Sequence, residues 1–161
     1  MSIIPSTVKS YIAGFLDADG CIMLQLIKRD DYRFGFQIRA SIVFYQKTEH
    51  KKHLEWIKTV LGVGYIRDRN DDMTEYTIVG VNSVNKVLEL LKPYIRLKKP
   101  QVQLATQIYA LVSDKYDLNE FIKAAELVDR FGELNYSKRR FNTSSVLKAY
   151  LRKHDLYPCN D

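Results

Sequence analysis

The sequence predicts an α+β fold: one domain on a four-stranded antiparallel sheet, with a helix leading each of two strand pairs and more helices after them. Three observations predict it. Two blocks of alternating apolar and polar residues each hold a pair of strands around a polar turn. Each pair follows a segment with the apolar spacing of a helix. No low-complexity linker interrupts the 161 residues, a length that encloses a sizeable core.

The elements follow in order. Ser6 or Thr7 is placed to cap a helix through "VKSYIAGFLD". "CIMLQLI" and "RFGFQIRASIVFYQ" read as strands around the turn "KRDDY". In the second of these, Phe34, Phe36, Ile38, Ala40, Ile42 and Phe44 share one face, and Arg33, Gln37, Arg39 and Ser41 the other. "TEHKKHLEWIKTVLG" puts Leu54, Ile57 and Leu61 on one helical face and stops at Gly62. "GYIRDR" and "TEYTIVG" form the second strand pair around "NDDM". Asn82 or Ser83 then caps "VNKVLELLK", which Pro93 ends. "PQVQLATQIYALV" is a helix with Pro100 in its first turn, and "DLNEFIKAAELVDRF" opens with Asp117 and Glu120 in capping-box positions. A basic loop and a short helix, "SKRRFNTSSVLKAYLRKHD", close the chain. Trp56 is expected in the core.

Hydrophobic residues make up 46% of the chain and no apolar run approaches the ~18 residues of a membrane span, so no membrane partner is expected. "MSIIPSTVKS" is too short and polar for a signal peptide. Cys21 and Cys159 form no metal-like cluster and read as reduced thiols of an intracellular protein. His50 and His53 are spaced for a metal pair, but no third ligand stands near them in sequence. The net charge of +6 suits a polyanionic partner. The strand patterning narrows this: Gln25 and Arg29 on the first strand, Arg33, Gln37, Arg39 and Ser41 on the second, and Tyr65, Arg67 and Arg69 on the third give an open face rich in Arg, Gln and Tyr. Arginine reads guanine and glutamine reads adenine, so the face suits nucleic acid.

"YIAGFLDADGC" poses the chemical question, because Asp17 and Asp19 end a helix where exposed carbonyls already carry partial negative charge. The spacing fits no EF-hand, whose loop needs glycine at its sixth position and glutamate at its twelfth. Ala13 and Gly14 are small enough for a second copy of the helix to approach closely. Two acidic ends would then meet, each carboxylate pair repelling by roughly 3 kcal/mol at ~6 Å and an effective dielectric of about 20. Divalent cations among the oxygens relieve that repulsion, and such a cluster serves phosphodiester cleavage.

"YIAGFLDADG" resembles the signature of the LAGLIDADG homing endonucleases, and "FYQKT", "GVGYIRDR", "LKPYIRLKKPQ" and "ELNYSKRR" extend the resemblance, in order, over roughly residues 8 to 150. It is closest to the single-motif, homodimeric members encoded in group I introns. The resemblance implies a saddle-shaped sheet with helices on one face, in the order αββαββα, over one domain spanning 1–161, its segment from about 133 acting as a DNA-backbone extension. It implies a homodimer that cuts both strands of a long pseudo-palindromic DNA site by Mg²⁺-dependent hydrolysis, leaving staggered 3′ overhangs. Mn²⁺ would substitute, and Ca²⁺ would bind without supporting cleavage. Asp19 and the carbonyl of Ala18 would hold metal, Gln46 would orient water, and Lys98 would act at the phosphate. Where the family often has arginine this chain has His50, with Lys51 beside it, and either can complete the basic set. Ala13, Gly14 and Asp17 would form the dimer interface. Tyr32, Glu75 and Thr77 would join the DNA-facing sheet residues, and Ser137, Lys138, Arg139 and Arg140 would follow the phosphates. Two rivals use the same fold without cleavage: an RNA maturase and a DNA-binding regulator. An organelle-encoded protein of chloroplast or mitochondrion needs no targeting peptide, and neither does a bacterial one.

Overall fold

Helix α1, Ser6–Asp19, opens a computed structural model that describes residues 3–136 and 140–157. It runs straight into β1, Gly20–Lys28. A side chain at Gly20 would lie 2.5–2.9 Å from Leu16 atoms, so only glycine lets the strand leave the helix this abruptly. β2 spans Phe36–Lys47, and a short 3₁₀ turn, Thr48–His50, leads into α2, Lys51–Leu61. β3, Tyr65–Asp68, and β4, Met73–Val79, form the second hairpin. Helices α3, Val81–Leu91, α4, Lys99–Val112, α5, Leu118–Leu134, and α6, Ser144–Lys153, complete the chain. The strands order β1-β2-β4-β3 in one sheet.

Four local expectations change. Neither Ser6 nor Thr7 caps α1, because Pro5 holds the N-cap in an extended conformation and the helix starts at Ser6 itself. Neither Asn82 nor Ser83 caps α3, since Gly80 at φ 97° starts that helix at Val81. β2 begins at Phe36 and not Arg33, because Gly35 turns the chain at φ 71°, with the Tyr150 ring 2.6 Å from where a Cβ would stand. Trp56 is 40% exposed, outside the core. The capping box of α5 forms as expected: Asp117 accepts from the N–H of Glu120, and the Glu120 carboxylate accepts from the N–H of Asp117.

The chain divides into two compact units. In the first, residues 1–22 and 41–102, Ile42, Phe44, Tyr76 and Ile78 form a buried sheet face, with Phe15 of α1 stacked on Phe44 and Phe44 on Tyr76. Ile12 and Leu16 of α1, Leu54 and Ile57 of α2, and Val84, Val87, Leu88 and Leu91 of α3 are buried in this unit. In the second, residues 23–40 and 103–161, α5 contributes the buried Phe121, Ala124, Ala125, Val128 and Phe131, and α6 contributes Leu147 and Leu151. Among the described residues no helix is long and apolar enough to cross a membrane.

Candidate active site and nucleic-acid interface

The acidic helix end is built by a segment about eighty residues away. Asp17 Oδ2 accepts from the N–H groups of Arg96 at 2.7 Å and Leu97 at 3.1 Å, and Oδ1 accepts from the N–H of Lys98 at 3.0 Å. Three successive N–H groups form an anion-binding nest just ahead of α4. Partial burial pushes the Asp17 carboxyl up, but the bonds from Arg96, Lys98 and Leu97 outweigh it and hold the group below its ordinary value. α1 has no basic residue in its last turn. Lys98 supplies the missing charge, donating from Nζ to the carbonyl of Asp17 at 2.5 Å.

Asp17 is therefore an in-chain clamp that supports the helix end, both its oxygens being engaged within the chain. Ala13 is fully enclosed and offers no surface. Gly14, Ala18 and Asp19 are exposed, and nothing lies within 4 Å of a Cβ built on Gly14. Asp19 thus stands free at the helix end with the Ala18 backbone beside it, and Lys98 is anchored two residues upstream.

A second polar cluster gathers where β2 leaves the sheet. Gln46, Thr74 and Asp68 pair across β2, β4 and β3 and so share a sheet face. Thr74 Oγ1, in a fully buried residue, donates to Asp68 Oδ1 at 2.8 Å and accepts from Thr48 Oγ1 at 3.1 Å. Asp68 Oδ2 holds Lys51 Nζ at 2.8 Å. That bond raises the Lys51 ammonium above its ordinary value, and the bonds from Lys51 and Thr74 lower the Asp68 carboxyl. His50 meets only Glu49, at 3.4 Å and largely exposed. Gln46 Oε1 accepts from the N–H of Lys47 at 3.0 Å. Burial pushes the Cys21 thiol up against the opposing pull of Lys98. Residue spacing did not reveal Asp68, Thr74 or Thr48. The one available signal was Asp68 standing opposite Arg67 and Arg69 in the alternation of β3.

On the other sheet face of this unit, Thr77 pairs with Tyr65 on one side and Val43 on the other, and Glu75 with Arg67 and Tyr45. Tyr65, Arg67 and Arg69 are exposed. Ser41, Glu75 and Thr77 lie on this face but are 6–9% exposed, a correction to the expectation of an open row. β2 and β4 are central strands, so larger side chains stand opposite these residues, Tyr45 and Arg67 flanking Glu75, and Val43 and Tyr65 flanking Thr77. Arg67 Nη2 lies 2.7 Å from Glu75 Oε1.

In the other unit, Gln25, Arg29, Tyr32 and Arg39 are exposed and Gln37 half-buried. Arg33 donates to the carbonyl of Tyr116 at 3.3 Å and lies over the Phe34 ring. Arg140 donates from Nη1 to the carbonyl of Val128 at 2.6 Å, a structural bond that sequence reading assigned to phosphate. It lines a groove with Gln25, Leu26, Ile27, Phe141 and Asn142, of which Phe141 is 85% exposed and had no sequence signal. Ser137, Lys138 and Arg139 lie outside the described residues. His53 bonds Tyr11 Oη at 3.1 Å and stacks with Trp56, which gives Trp56 its place at the surface.

An exposed carboxylate at a helix end, beside a basic side chain and a sheet bearing arginines, is the plan of a metal-dependent nucleic-acid enzyme. The chain belongs to the LAGLIDADG endonuclease family, whose model matches residues 12–109. It is 38% identical over 144 residues to DNA endonuclease I-CvuI of Chlorella vulgaris, covering 89% of each chain. It is 33% identical over 142 residues to DNA endonuclease I-CreI of Chlamydomonas reinhardtii, covering 88% of this chain and 86% of that protein. The crystal structure of I-CvuI with its target in 2 mM Ca superposes with a TM-score of 0.87 at 36% identity, over 93% of this chain and 96% of that one.

Proposed function

We propose that the chain is a homodimeric, Mg²⁺-dependent endonuclease that cuts both strands of a long pseudo-palindromic DNA site and so promotes the mobility of an intron encoding it. The observation that carries this reading is Asp19, an exposed carboxylate at the end of a helix whose exposed face is opened by Gly14. The near full-length similarity to two proteins named DNA endonucleases supports it, and gives the RNA-maturase reading no comparable support. A relative 27% identical over 114 residues is named for a position in ND4 intron 1 of Podospora anserina, which supports an intronic, organelle-encoded origin.

The donor set fits a hard divalent cation. Asp19 and the Ala18 carbonyl are oxygen donors, the type that Mg²⁺ and Ca²⁺ take, and Mn²⁺ tolerates the same set. Among the described residues no three His, Cys, Asp or Glu side chains of one chain converge on a metal, and in the homodimer proposed here a second copy would bring the other carboxylate. Mg²⁺ held there would supply positive charge at the scissile phosphate, and Ca²⁺ would take the same donors without supporting cleavage. Lys98, one donor spent on the Asp17 carbonyl, turns its remaining N–H groups to a phosphate oxygen. The Gln46 amide, its oxygen held by the Lys47 N–H, presents its NH₂ to orient water. Lys51 completes the basic set and not His50, because Asp68 fixes it in place and keeps it charged. Tyr65, Arg67, Arg69, Gln25, Arg29, Gln37 and Arg39 read bases, and the basic loop after α5 follows the backbone.

Selection of cleaved molecules from a randomised duplex library in Mg²⁺ tests the reading. It is expected to return one family of dyad-symmetric sites about two helical turns long. No cleaved product, or retention of structured RNA alone, overturns it. The dimer has its own test. Gly14→Leu meets open space within one chain and gains roughly 0.8 kcal/mol of helix propensity, so the monomer stays folded. At a close helix crossing the two added side chains overpack, and the dimer dissociation constant is expected to rise at least about 30-fold. Sedimentation showing an unchanged dimer would place the crossing elsewhere.

A further inference from the structure

Both hairpin turns carry the same device. Arg29 follows the last residue of β1 and donates from Nε and Nη2 to the two oxygens of Asp31, each at 2.9 Å, while its guanidinium lies 5.4 Å over the Tyr32 ring. Arg69 follows the last residue of β3 and donates from Nη2 to Asp71 Oδ2 at 2.8 Å, with Glu75 Oε2 4.0 Å from Nη1. In each turn the aspartate stands two residues after the arginine. Sequence reading took both stretches, "KRDDY" and "NDDM", only as polar turns.

Fold stability does not account for these pairs. Their side chains are 41–64% exposed, and exposed ion pairs contribute little. Their placement on two arginines assigned to base reading is the informative fact. A free guanidinium on a DNA-facing surface binds any phosphate, and that attraction carries no sequence information. A carboxylate fixed beside it repels phosphate and occupies donors that phosphate would take. On Arg29 the side edge, Nε and Nη2, is engaged, which leaves Nη1 and the second N–H of Nη2 as donors for guanine O6 and N7. Specificity is a difference of affinities and gains as much from an element that rejects the wrong site as from one that accepts the right one.

Resting on the endonuclease reading above, we propose that Asp31 and Asp71 are specificity-determining residues, which hold Arg29 and Arg69 back from phosphate and offer them to base edges. Asp31→Asn and Asp71→Asn test it, each compared with wild type and with Glu89→Gln. Glu89 makes an exposed ion pair with Lys92 near the end of α3, so that variant matches the charge change away from the turns. Binding is measured in Ca²⁺ to the library-selected duplex and to a scrambled duplex of the same composition, between about 50 and 200 mM salt. Each turn variant is expected to bind the scrambled duplex about 3- to 10-fold more tightly, with a steeper salt dependence, and the selected duplex within about twofold of wild type. Preference for the selected duplex then falls, whereas Glu89→Gln keeps it. If both duplexes gain equally, or the preference matches that of Glu89→Gln, this inference fails and the endonuclease reading stands. A wild-type protein with no duplex preference overturns that reading and this inference with it.

Discussion

An Asp19→Asn protein is expected to bind its DNA target and leave both strands uncut. Asparagine keeps the size of the side chain and removes one charge per chain, two from a dimer. The residue is exposed, so the fold has no stake in the change. Loss of the carboxylate costs the several kcal/mol that a divalent cation supplies to phosphodiester hydrolysis, a fall in rate of at least about 10³-fold. Target affinity without divalent cation is expected to rise, since carboxylate repulsion of the phosphates is relieved, and the metal-free dimer gains slightly in stability for the same reason. Gel-shift and cleavage assays on one duplex, in Mg²⁺ and in Ca²⁺, read both effects. Cleavage of both strands near the wild-type rate would remove this carboxylate from the chemistry.

Replacement of its neighbour two positions back is expected to act on the fold. Asp17→Ala leaves the N–H groups of Arg96, Leu97 and Lys98 without the acceptor they share, at a cost of about 2–3 kcal/mol and a fall in Tm of roughly 5–10 °C. Cleavage falls as well, because Lys98 is held at the helix end by the same segment. The effect has a pH signature. Asp17 is held below its ordinary value of 3.8, so above that value its contribution is fully present, and it is lost as pH falls through the lower, folded value. Asp17→Asn, which lacks this titration, is expected to be less stable than wild type at pH 7, with the gap closing below about pH 4. Urea denaturation between pH 7 and 3 measures it. A gap that stays constant across that range would show that the charge of Asp17 plays no part.

Local chemistry was legible in the sequence and distant chemistry was not. Asp117 and Glu120 are three residues apart and complete their own box, so their pattern is self-sufficient. The alternation of β2 holds at Phe36, Ile38 and Arg39 and breaks at Ser41 and Val43, which are buried in turn because the strand lies in mid-sheet. Period-two reasoning sees the faces of a strand but not how much its neighbours cover them. Asp19, which the resemblance casts as a metal ligand, is exposed, and Lys98, which it places at the phosphate, lies at the same helix end. The signature did not show the partners of Asp17, which lie 79 to 81 positions away, or the burial of Ala13, which depends on what packs over α1. Lys51 and Asp68 are 17 residues apart on different elements, and only the hairpin register brings them together.

The nest around Asp17 bears on when the protein becomes dangerous. A nuclease is safest for its host's DNA while incomplete. The signature emerges early in synthesis, but the N–H groups that fix its helix end belong to Arg96, Leu97 and Lys98, and the cation beside it is Lys98 itself. Closing a contact across some eighty residues is slow compared with forming a local turn. A nascent chain that has reached only the second hairpin therefore carries Asp19 with neither its clamp nor its cation. The helix end that carries Asp19 is complete only once residues 96–98 have been made, long after the signature itself.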